Sequence, residues 1–200
     1  MTRLSRQESQ QLTRQRLIEA AEKEIIRLGI YEASIRQICE TAGYSLGAFY
    51  SNFNNKDELL LEVVELHSKH EFENLKDIVE TSASLDEKII LKKIAEWLHK
   101  LQANKILFSL TLEFEVYAKR NSEFKDQYNE NKKRWHLELA QALEALFSGQ
   151  HMTPHIPPMQ MAVGLFALWS GFAIEGSIPG VESAEKIIPI FLEAFLSSSK

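Results

Sequence analysis

The sequence predicts an all-α protein of about nine helices, with a small N-terminal head on a larger helical body. Nearly every segment places its apolar residues at helical spacing, and no stretch alternates between apolar and polar residues as a strand would. Only eight glycines and five prolines occur in 200 residues, so long helices are permitted. Hydrophobic residues make up 44% of the chain and charged residues 26%, which is typical of a globular protein with a packed core.

The predicted helices have recognisable start and stop signals. Ser34, Ser45 and Asn55 stand where capping side chains begin helices. Gly29 and Gly43 stand where helices end. The predicted helices cover, in order, residues 8–28, 34–41, 45–51, 57–80, 86–103, 106–119, 122–147, 158–175 and 183–197.

Charge divides the chain into two parts. Residues 1–56 hold eight Lys/Arg and six Asp/Glu, a net charge of +2, whereas residues 57–200 hold fifteen and twenty-two, a net charge of −7. A slightly basic head on an acidic body can bind phosphate locally, although chance would also produce such a difference. We expect residues 1–56 to form the head domain and 57–200 the body, with the helix 57–80 linking them.

Cysteine content and hydropathy indicate a cellular compartment. Cys39 is the only cysteine, which excludes an internal disulfide and suits a reducing cytoplasm, and we expect it to pack in the core. The N-terminus lacks the apolar stretch of a signal peptide. The longest apolar run, residues 161–174, contains two glycines and a serine and is shorter than the ~20 residues that span a bilayer. We expect a soluble, cytoplasmic protein without membrane contact.

Residues 34–51 fit a helix-turn-helix, with 34–41 as the first helix, 42–44 as the turn and 45–51 as the second helix. In such motifs the second helix enters the major groove of DNA by its N-terminal end. Gly43 allows the positive φ of the turn, and Gly47 has no side chain to hold the backbone away from a phosphate or base edge. A capped helical hairpin that does not bind DNA is the alternative interpretation.

The phosphate contacts are expected at helix starts, where unpaired amides attract anions. The stretch 46–50 carries no Arg, Lys, Asn or Gln to read base edges. Leu46 or Ala48 is therefore expected to touch thymine methyl groups, helped by Arg36 or Gln37, and we hypothesise a T-rich, partly shape-dependent specificity. The predicted DNA-binding residues are Ser34, Arg36, Gln37, Tyr44, Ser45, Leu46, Gly47, Ala48, Tyr50, Asn52 and Lys56.

The stretch from Thr41 to Leu60 resembles the signature of the TetR family of bacterial transcriptional regulators. That signature runs Ala-Gly, a small hydroxyl residue, Gly, Tyr and a further aromatic residue, and then Lys and Glu-Leu at the start of the fourth helix. The resemblance covers roughly the first 60 residues, and Asn52 departs from it because a histidine is most frequent there. It implies a repressor, usually homodimeric, whose body binds a small molecule and then releases DNA.

The last two predicted helices, 158–175 and 183–197, are apolar on nearly every side. One face of each can rest on the core, and the other needs a partner, which favours a symmetric four-helix interface in a homodimer. Burial of both helices within a monomer is the alternative. A dimer sets two recognition helices about 34 Å apart and predicts a palindromic double-stranded DNA operator. The expected interface residues are Leu165, Trp169, Phe172, Phe191 and Phe195.

A small apolar or amphipathic effector is expected to bind among the helices of the body, although aromatic residues at helical spacing also form plain core. Glu113 lies at the edge of an apolar face, where it would meet a polar group of the ligand or form a buried salt bridge with Arg120 or His136. The candidate ligand-binding residues are Trp97, Leu101, Leu110, Glu113, Phe114, Tyr117, Trp135, Leu139 and Phe166.

Enzymatic functions are disfavoured by the motifs. A di-metal helical bundle needs two Glu-x-x-His pairs, and only Glu96 and His99 form one. No Gly-rich phosphate loop or nucleophile elbow occurs. We therefore expect no enzyme, no metal and no cofactor, and we leave an activator or an effector-independent regulator as alternatives to a repressor.

Overall fold

The computed structural model describes residues 5–82, 85, 87–149, 156–175, 187, 190 and 191, and within these it is built of α-helices. The all-α prediction is confirmed. The eight helices in this part of the chain are α1 (Arg6–Leu28), α2 (Ile35–Ala42), α3 (Leu46–Tyr50), α4 (Lys56–Ser82), α5 (Glu87–Ala103), α6 (Lys105–Arg120), α7 (Ser122–Gly149) and α8 (Pro158–Glu175).

The helix ends follow the capping signals of the sequence. Helix α1 begins two residues earlier than predicted, because Ser5 and Glu8 form a capping box in which each side chain accepts from the other's backbone amide. Gly29 ends α1 with a φ of 81°, and Asn55 accepts from the amide of Glu58 at the start of α4. The ninth predicted helix, 183–197, lies almost entirely outside the described residues.

The chain folds into two compact units. Of the described residues, the first unit contains those up to His67 together with Ile106–Glu130, and the second contains those of Ser68–Lys105 and those from Asn131 onward. Helices α4 and α7 are therefore divided between the units. The first unit extends beyond the predicted head, because α6 bonds directly to the end of α1 and the start of α4.

In the first unit, α1 packs against α2 and α3 around a small apolar core. Phe49 and Phe53 lie at its centre with ring centroids 5.6 Å apart, and Cys39 is buried beside Ile38. The prediction that Cys39 packs in the core is confirmed, and Phe49 and Phe53 pack there as well. Burial raises the pKa of the Cys39 thiol, which keeps it protonated at neutral pH.

In the second unit, α5 packs against α8. The face that α5 buries is Ile90, Ile94, Trp97, Leu98 and Leu101, and the face that α8 buries is Met161, Ala162, Leu165 and Trp169. Residues three or four apart on a helix share a face, and the buried residues of α5 and those of α8 recur at this spacing in the sequence. None of the described helices is long and apolar enough to cross a membrane.

Candidate nucleic-acid interface

Helices α2 and α3 form the predicted helix-turn-helix. Ser34 caps α2 through a capping box with Gln37, whose backbone N–H donates to the serine Oγ at 3.2 Å. Gly43 takes the left-handed conformation, with φ 74° and ψ 30°, and the next amide, that of Tyr44, donates to the carbonyl of Cys39 at 2.9 Å. This is the hydrogen-bond pattern of a Schellman motif, and it turns the chain sharply between the two helices.

The outward face of α3 is apolar and aromatic. Ser45 caps the helix, and its side chain accepts from the backbone amide of Ala48 at 3.2 Å. The side chains of Leu46 and Tyr50 are 46% and 58% exposed. Phe49 points the other way, into the core, and fixes the rotation of α3 on α1. The residues that α3 presents to solvent are therefore those that the sequence assigned to DNA.

Gly47 is exposed in the first turn of this helix, and no described residue from another helix lies beside it. A Cβ added there meets only the Ser45 Oγ, at an ordinary van der Waals distance of 3.6 Å. The protein itself therefore has room for a side chain at this position. A requirement for glycine at residue 47 would come from a surface that approaches from outside.

The predicted contacts from α2 have partners within the head. The Arg36 Nε donates to Glu40 at 3.1 Å, and the Arg36 side chain is otherwise exposed. The Gln37 side chain accepts from the Ser34 amide at 3.0 Å. Gln37 therefore orients α2, whereas Arg36 can leave an exposed ion pair of small energy to reach a phosphate or base.

Asn52 and Lys56 differ from the prediction that they face a phosphate. The Asn52 Nδ2 donates to the carbonyl of Ala48 at 2.8 Å, and its Oδ1 is buried without a hydrogen-bond partner among the described residues. The Lys56 ammonium donates to the carbonyl of Ile30, and burial lowers its pKa. Lys56 thus bonds the segment that joins α1 to α2, whereas Asn52 bonds a carbonyl of α3, the helix that it follows.

Arg14, which the sequence did not single out, organises the segment after α3. Its guanidinium donates to the Asn52 carbonyl, lies 4.2 Å from the ring centroid of Phe53, and pairs with Glu62 at 3.0 Å. A planar cation can stack and donate at the same time. Arg14 thereby connects α1, the end of the helix-turn-helix and α4.

A buried carboxylate ties α1 to α2. Glu24 accepts from the hydroxyl of Thr41 at 2.6 Å and from Arg27 on its own helix. The hydrogen bond from Thr41, with that from Arg27, lowers the pKa of the Glu24 carboxyl below its ordinary 4.5. Sequence spacing alone gives no sign of this contact, since 17 residues separate the partners.

Helix α6 holds the segment between α1 and α2 through Glu113. The Glu113 Oε2 accepts from the amide of the buried Ile30 at 2.9 Å, while Lys56 donates to the carbonyl of the same residue. Both backbone polar groups of Ile30 are thus held by charged side chains, one from α6 and one from α4. Gly29 leaves the room for this contact, because a Cβ there would lie 3.2 Å from the carboxylate.

The same face of α6 holds the start of α4. The Tyr117 hydroxyl donates to Asp57 at 2.7 Å, and the Nδ2 of Asn121, just beyond the helix, donates to the same carboxylate at 3.0 Å. Burial, followed by the hydrogen bond to Asp57, raises the pKa of Tyr117 to about 12, so its hydroxyl stays a donor at neutral pH. We call Glu113, Tyr117 and Asn121 the α6 clamp.

The candidate ligand residues divide between the two units. Leu110, Glu113, Phe114 and Tyr117 belong to the first, and the other five, Trp97, Leu101, Trp135, Leu139 and Phe166, belong to the second. The predicted salt bridge of Glu113 is wrong: Arg120 lies over the ring of Tyr31, and His136 contacts the Lys132 carbonyl and Phe166. Glu113 accepts a backbone hydrogen bond instead.

Phe114 and Tyr117 are part of an aromatic cluster in the first unit. Phe114 lies 6.1 Å from Phe124 and 6.1 Å from Tyr128, and Tyr117 lies 5.0 Å from Phe124, between ring centroids. Phe124 and Tyr128 are also fully buried. Aromatic rings at these distances stabilise one another, which fits the plain-core alternative for these two positions.

The predicted dimer residues fall on two faces of the last helices. Leu165 and Trp169 are buried in the chain's own core, Phe172 is half-buried, Phe191 is exposed, and Phe195 lies outside the described residues. Leu165 and Trp169 are therefore unsuited to the predicted interface, since α8 turns them toward its own unit. The exposed apolar side chains on the described part of this region are Met159, Val163, Ala167, Ile174, Ile190 and Phe191.

Comparison with known families agrees with this geometry. The family model described as "Bacterial regulatory proteins, tetR family" matches residues 17–63, which contain the helix-turn-helix and the start of α4. A second model, described as "BetI-type transcriptional repressor, C-terminal", matches residues 90–197, more than half of the chain. The chain therefore belongs to the tetR family of bacterial transcriptional regulators, and its C-terminal part is of the BetI type.

Individual relatives agree with this assignment. The HTH-type transcriptional regulator TtgR of Pseudomonas putida is 39% identical over 72 residues, which is 36% of this chain and 34% of TtgR. The match thus spans about a third of that relative's length. A protein described as a TetR-family transcriptional regulator from Mesorhizobium loti has the same fold, with a TM-score of 0.78 and 20% identity over 97% of this chain and 98% of that one. GusR of Salmonella enterica superposes with a TM-score of 0.77 and 15% identity over 98% and 100%.

Proposed function

We propose that this regulator is a homodimeric, cytoplasmic repressor that binds a palindromic double-stranded DNA operator and is released from it by a small, largely apolar ligand. The observation that carries the DNA-binding part is the exposed face of α3, where Leu46, Gly47 and Tyr50 project from a helix fixed by buried Phe49. A helix that is held rigidly by its core contact, and that has a glycine in its first turn, can enter the major groove by its N-terminal end. The family membership supports the same role.

The chemistry of this face favours a particular kind of readout. Leu46 and Ala48 offer apolar contact to thymine methyl groups, and Tyr50 offers a hydroxyl to a phosphate. Arg36 is the exposed cation of α2 nearest in sequence to this face. The proposed specificity is therefore T-rich and partly dependent on DNA shape, because few donors are available for guanine or adenine edges.

The exposed apolar side chains of α8 support a homodimer. Met159, Val163 and Ala167 follow one another at intervals of four residues and so share one face of the helix. Val163 is 49% exposed and Ile174 is 66% exposed. An apolar stripe of this kind is costly in water, and covering it with the same stripe of a second copy makes an isologous interface.

The α6 clamp supports release by a ligand. Its three side chains hold Ile30 and Asp57, which lie at the end of α1 and at the start of α4 on either side of the helix-turn-helix. A ligand that shifts α6 would therefore change the hydrogen bonds that orient α1 and α4. A ligand can only act this way through different affinities for the two arrangements.

Selection from random duplex DNA, followed by effector titration, tests the proposal. The purified protein is expected to enrich a palindromic, T-rich site with half-sites about one helical turn apart, and to sediment as a dimer. Loss of affinity on adding a lipophilic compound supports release. Enrichment of sites with invariant G·C pairs at half-site centres contradicts the proposed readout, and unchanged affinity across lipophilic ligands favours the effector-independent alternative. Reporter expression that falls on deletion of the gene favours an activator.

A further inference from the structure

The first half of helix α1 lies beside the end of helix α3. The Gln10 Nε2 donates to the carbonyl of Ser51 at 3.4 Å, and Arg14, one turn further along α1, donates to the carbonyl of Asn52. Ser51 directly follows Tyr50, whose side chain belongs to the exposed face of α3 that is proposed to bind DNA. The N-terminal turns of α1 are therefore continuous with that face.

Arg6 extends this surface beyond Gln10. Residues four apart share one face of a helix, and a rise of 1.5 Å per residue places the Cα of Arg6 about 6 Å beyond that of Gln10. Leu17 continues the same face and is fully buried, so this is the side of α1 that faces the rest of the head. Residues 5–12 are nevertheless all exposed, which means that no described helix covers the first turns of α1.

The charge of this surface is suited to an anionic partner. Between residues 5 and 16 the chain carries the three cations Arg6, Arg14 and Arg16 and a single carboxylate, that of Glu8. The Glu8 Oε2 accepts from the backbone amide of Ser5 at 2.7 Å, so it is engaged in the capping box of its own helix. Arg14 is paired within the head, whereas Arg6 forms no ion pair with any described residue. The Arg6 guanidinium is therefore available to an anion from outside.

We propose that Arg6 and Gln10 form a second DNA contact, outside the helix-turn-helix, which binds a backbone phosphate at the edge of each half-site. A guanidinium can bind one phosphate through two parallel N–H groups. The Gln10 side chain has two N–H donors, of which the bond to Ser51 uses one, so the second can donate to the same phosphate. The assignment rests on the proposed DNA-binding function of α3 and adds a contact that positions this helix without reading a base.

The salt dependence of DNA affinity tests the charge of Arg6. Arg6→Ala is expected to weaken binding about three- to tenfold, both to the selected duplex and to unrelated DNA, and to lower the salt slope by about one for each protomer bound. Arg6→Lys keeps the charge and is expected to keep the slope. Gln10→Ala removes a neutral donor and is expected to weaken binding about two- to threefold at an unchanged slope.

Arg16→Ala is the matched control. It removes the same charge from an exposed position of the same helix, about 15 Å further along and about 80° around the axis from Arg6. Its DNA affinity is expected to stay within about twofold of wild type. Both arginine variants are expected to unfold at the wild-type temperature within about 1 °C, because surface substitutions without a partner change stability little.

Replacing single phosphates of the duplex by uncharged methylphosphonates locates the contact. In a scan over the half-site and its flanks, one such replacement is expected to weaken binding of wild type about three- to tenfold and binding of Arg6→Ala less than about twofold, since the two changes remove the same interaction. A matching loss in Arg16→Ala and Arg6→Ala, or no phosphate whose effect disappears in Arg6→Ala, would overturn the inference. In either case wild type still binds the selected duplex and the DNA-binding function of α3 stands, whereas a wild type that selects no duplex refutes both.

Discussion

Removing the Glu113 carboxylate is expected to destabilise the first unit through a single backbone amide. The Oε2 accepts from the Ile30 N–H at 2.9 Å, and Ile30 is fully buried. A hydrogen bond to a charged acceptor contributes about 1.5–3 kcal/mol, and a buried donor left without a partner costs about 1–3 kcal/mol. Glu113→Ala is therefore expected to lower the free energy of unfolding by about 2 kcal/mol, and Glu113→Gln, which keeps a neutral acceptor, by about 1 kcal/mol.

Thermal or urea unfolding at fixed protein concentration measures this difference. For a chain of this size, 2 kcal/mol corresponds to a decrease in Tm of roughly 4–8 °C. Asp126→Asn, at an exposed position of α7 in the same unit, removes the same charge and is expected to change stability by less than about 0.5 kcal/mol. If Glu113→Ala unfolds at the wild-type temperature, or loses no more stability than Asp126→Asn, the contact between Glu113 and Ile30 does not stabilise the unit as argued.

Three further predictions concern other parts of the chain. Val163→Asp is expected to shift sedimentation from dimer to monomer because it places a charge on the exposed face of α8. Leu112→Asp, on the exposed side of α6, is the control and is expected to remain a dimer. A dimeric Val163→Asp variant would contradict the proposal that this face of α8 forms the dimer interface. Glu24→Gln is expected to make the stability of the chain less sensitive to acid. The pKa of Glu24 is lowered in the folded chain, so the stabilisation by its carboxylate is complete above the unfolded pKa of about 4.5 and is lost as the pH falls through the lowered value. Urea midpoints of wild type and variant measured below pH 4.5 test this difference. Lys56→Ala is expected to lower the unfolding midpoint because Lys56 donates to the Ile30 carbonyl; a drop in the salt slope of DNA binding by about one, without loss of stability, would instead show a pure phosphate contact.

Local features of the fold could be predicted from the sequence because their causes are local. Ser34 and Gly43 act on amides and carbonyls within a few residues, so they mark the ends of α2 without knowledge of the tertiary structure. Phe49 and Phe53 could be assigned to the core because their spacing in a short helical motif leaves one direction for both rings. The boundaries of α5 and α6 follow from helical periodicity in the same way.

Long-range contacts could not be predicted. Glu113 and Ile30 are separated by 83 residues, and Arg14 lies 38 residues from the Asn52 carbonyl that it holds. Neither pairing leaves a trace in local composition, which is why Glu113 was assigned to a ligand or a salt bridge and Arg14 was not singled out.

The dimer face shows a different limit of sequence reasoning. Helix α8 is apolar on nearly all sides, so periodicity does not distinguish the face that packs on its own unit from the face left exposed. The sequence predicts that Leu165 and Trp169 contact a second copy, whereas the structure buries both in their own unit. Packing against α5 decides the rotation of the helix, and that information is tertiary.

The measurement that tests the DNA-binding surface most directly compares wild type and Gly47→Ala on a duplex selected from random sequence. Because the added Cβ meets only the Ser45 Oγ at 3.6 Å, and alanine favours a helix over glycine by about 0.5–1 kcal/mol, the variant is expected to be as stable as wild type or more so. Its DNA affinity is expected to fall at least about tenfold, because the methyl group enters the surface that approaches DNA. Equal affinity of the two proteins for the selected duplex would contradict the assignment of this face of α3 to DNA.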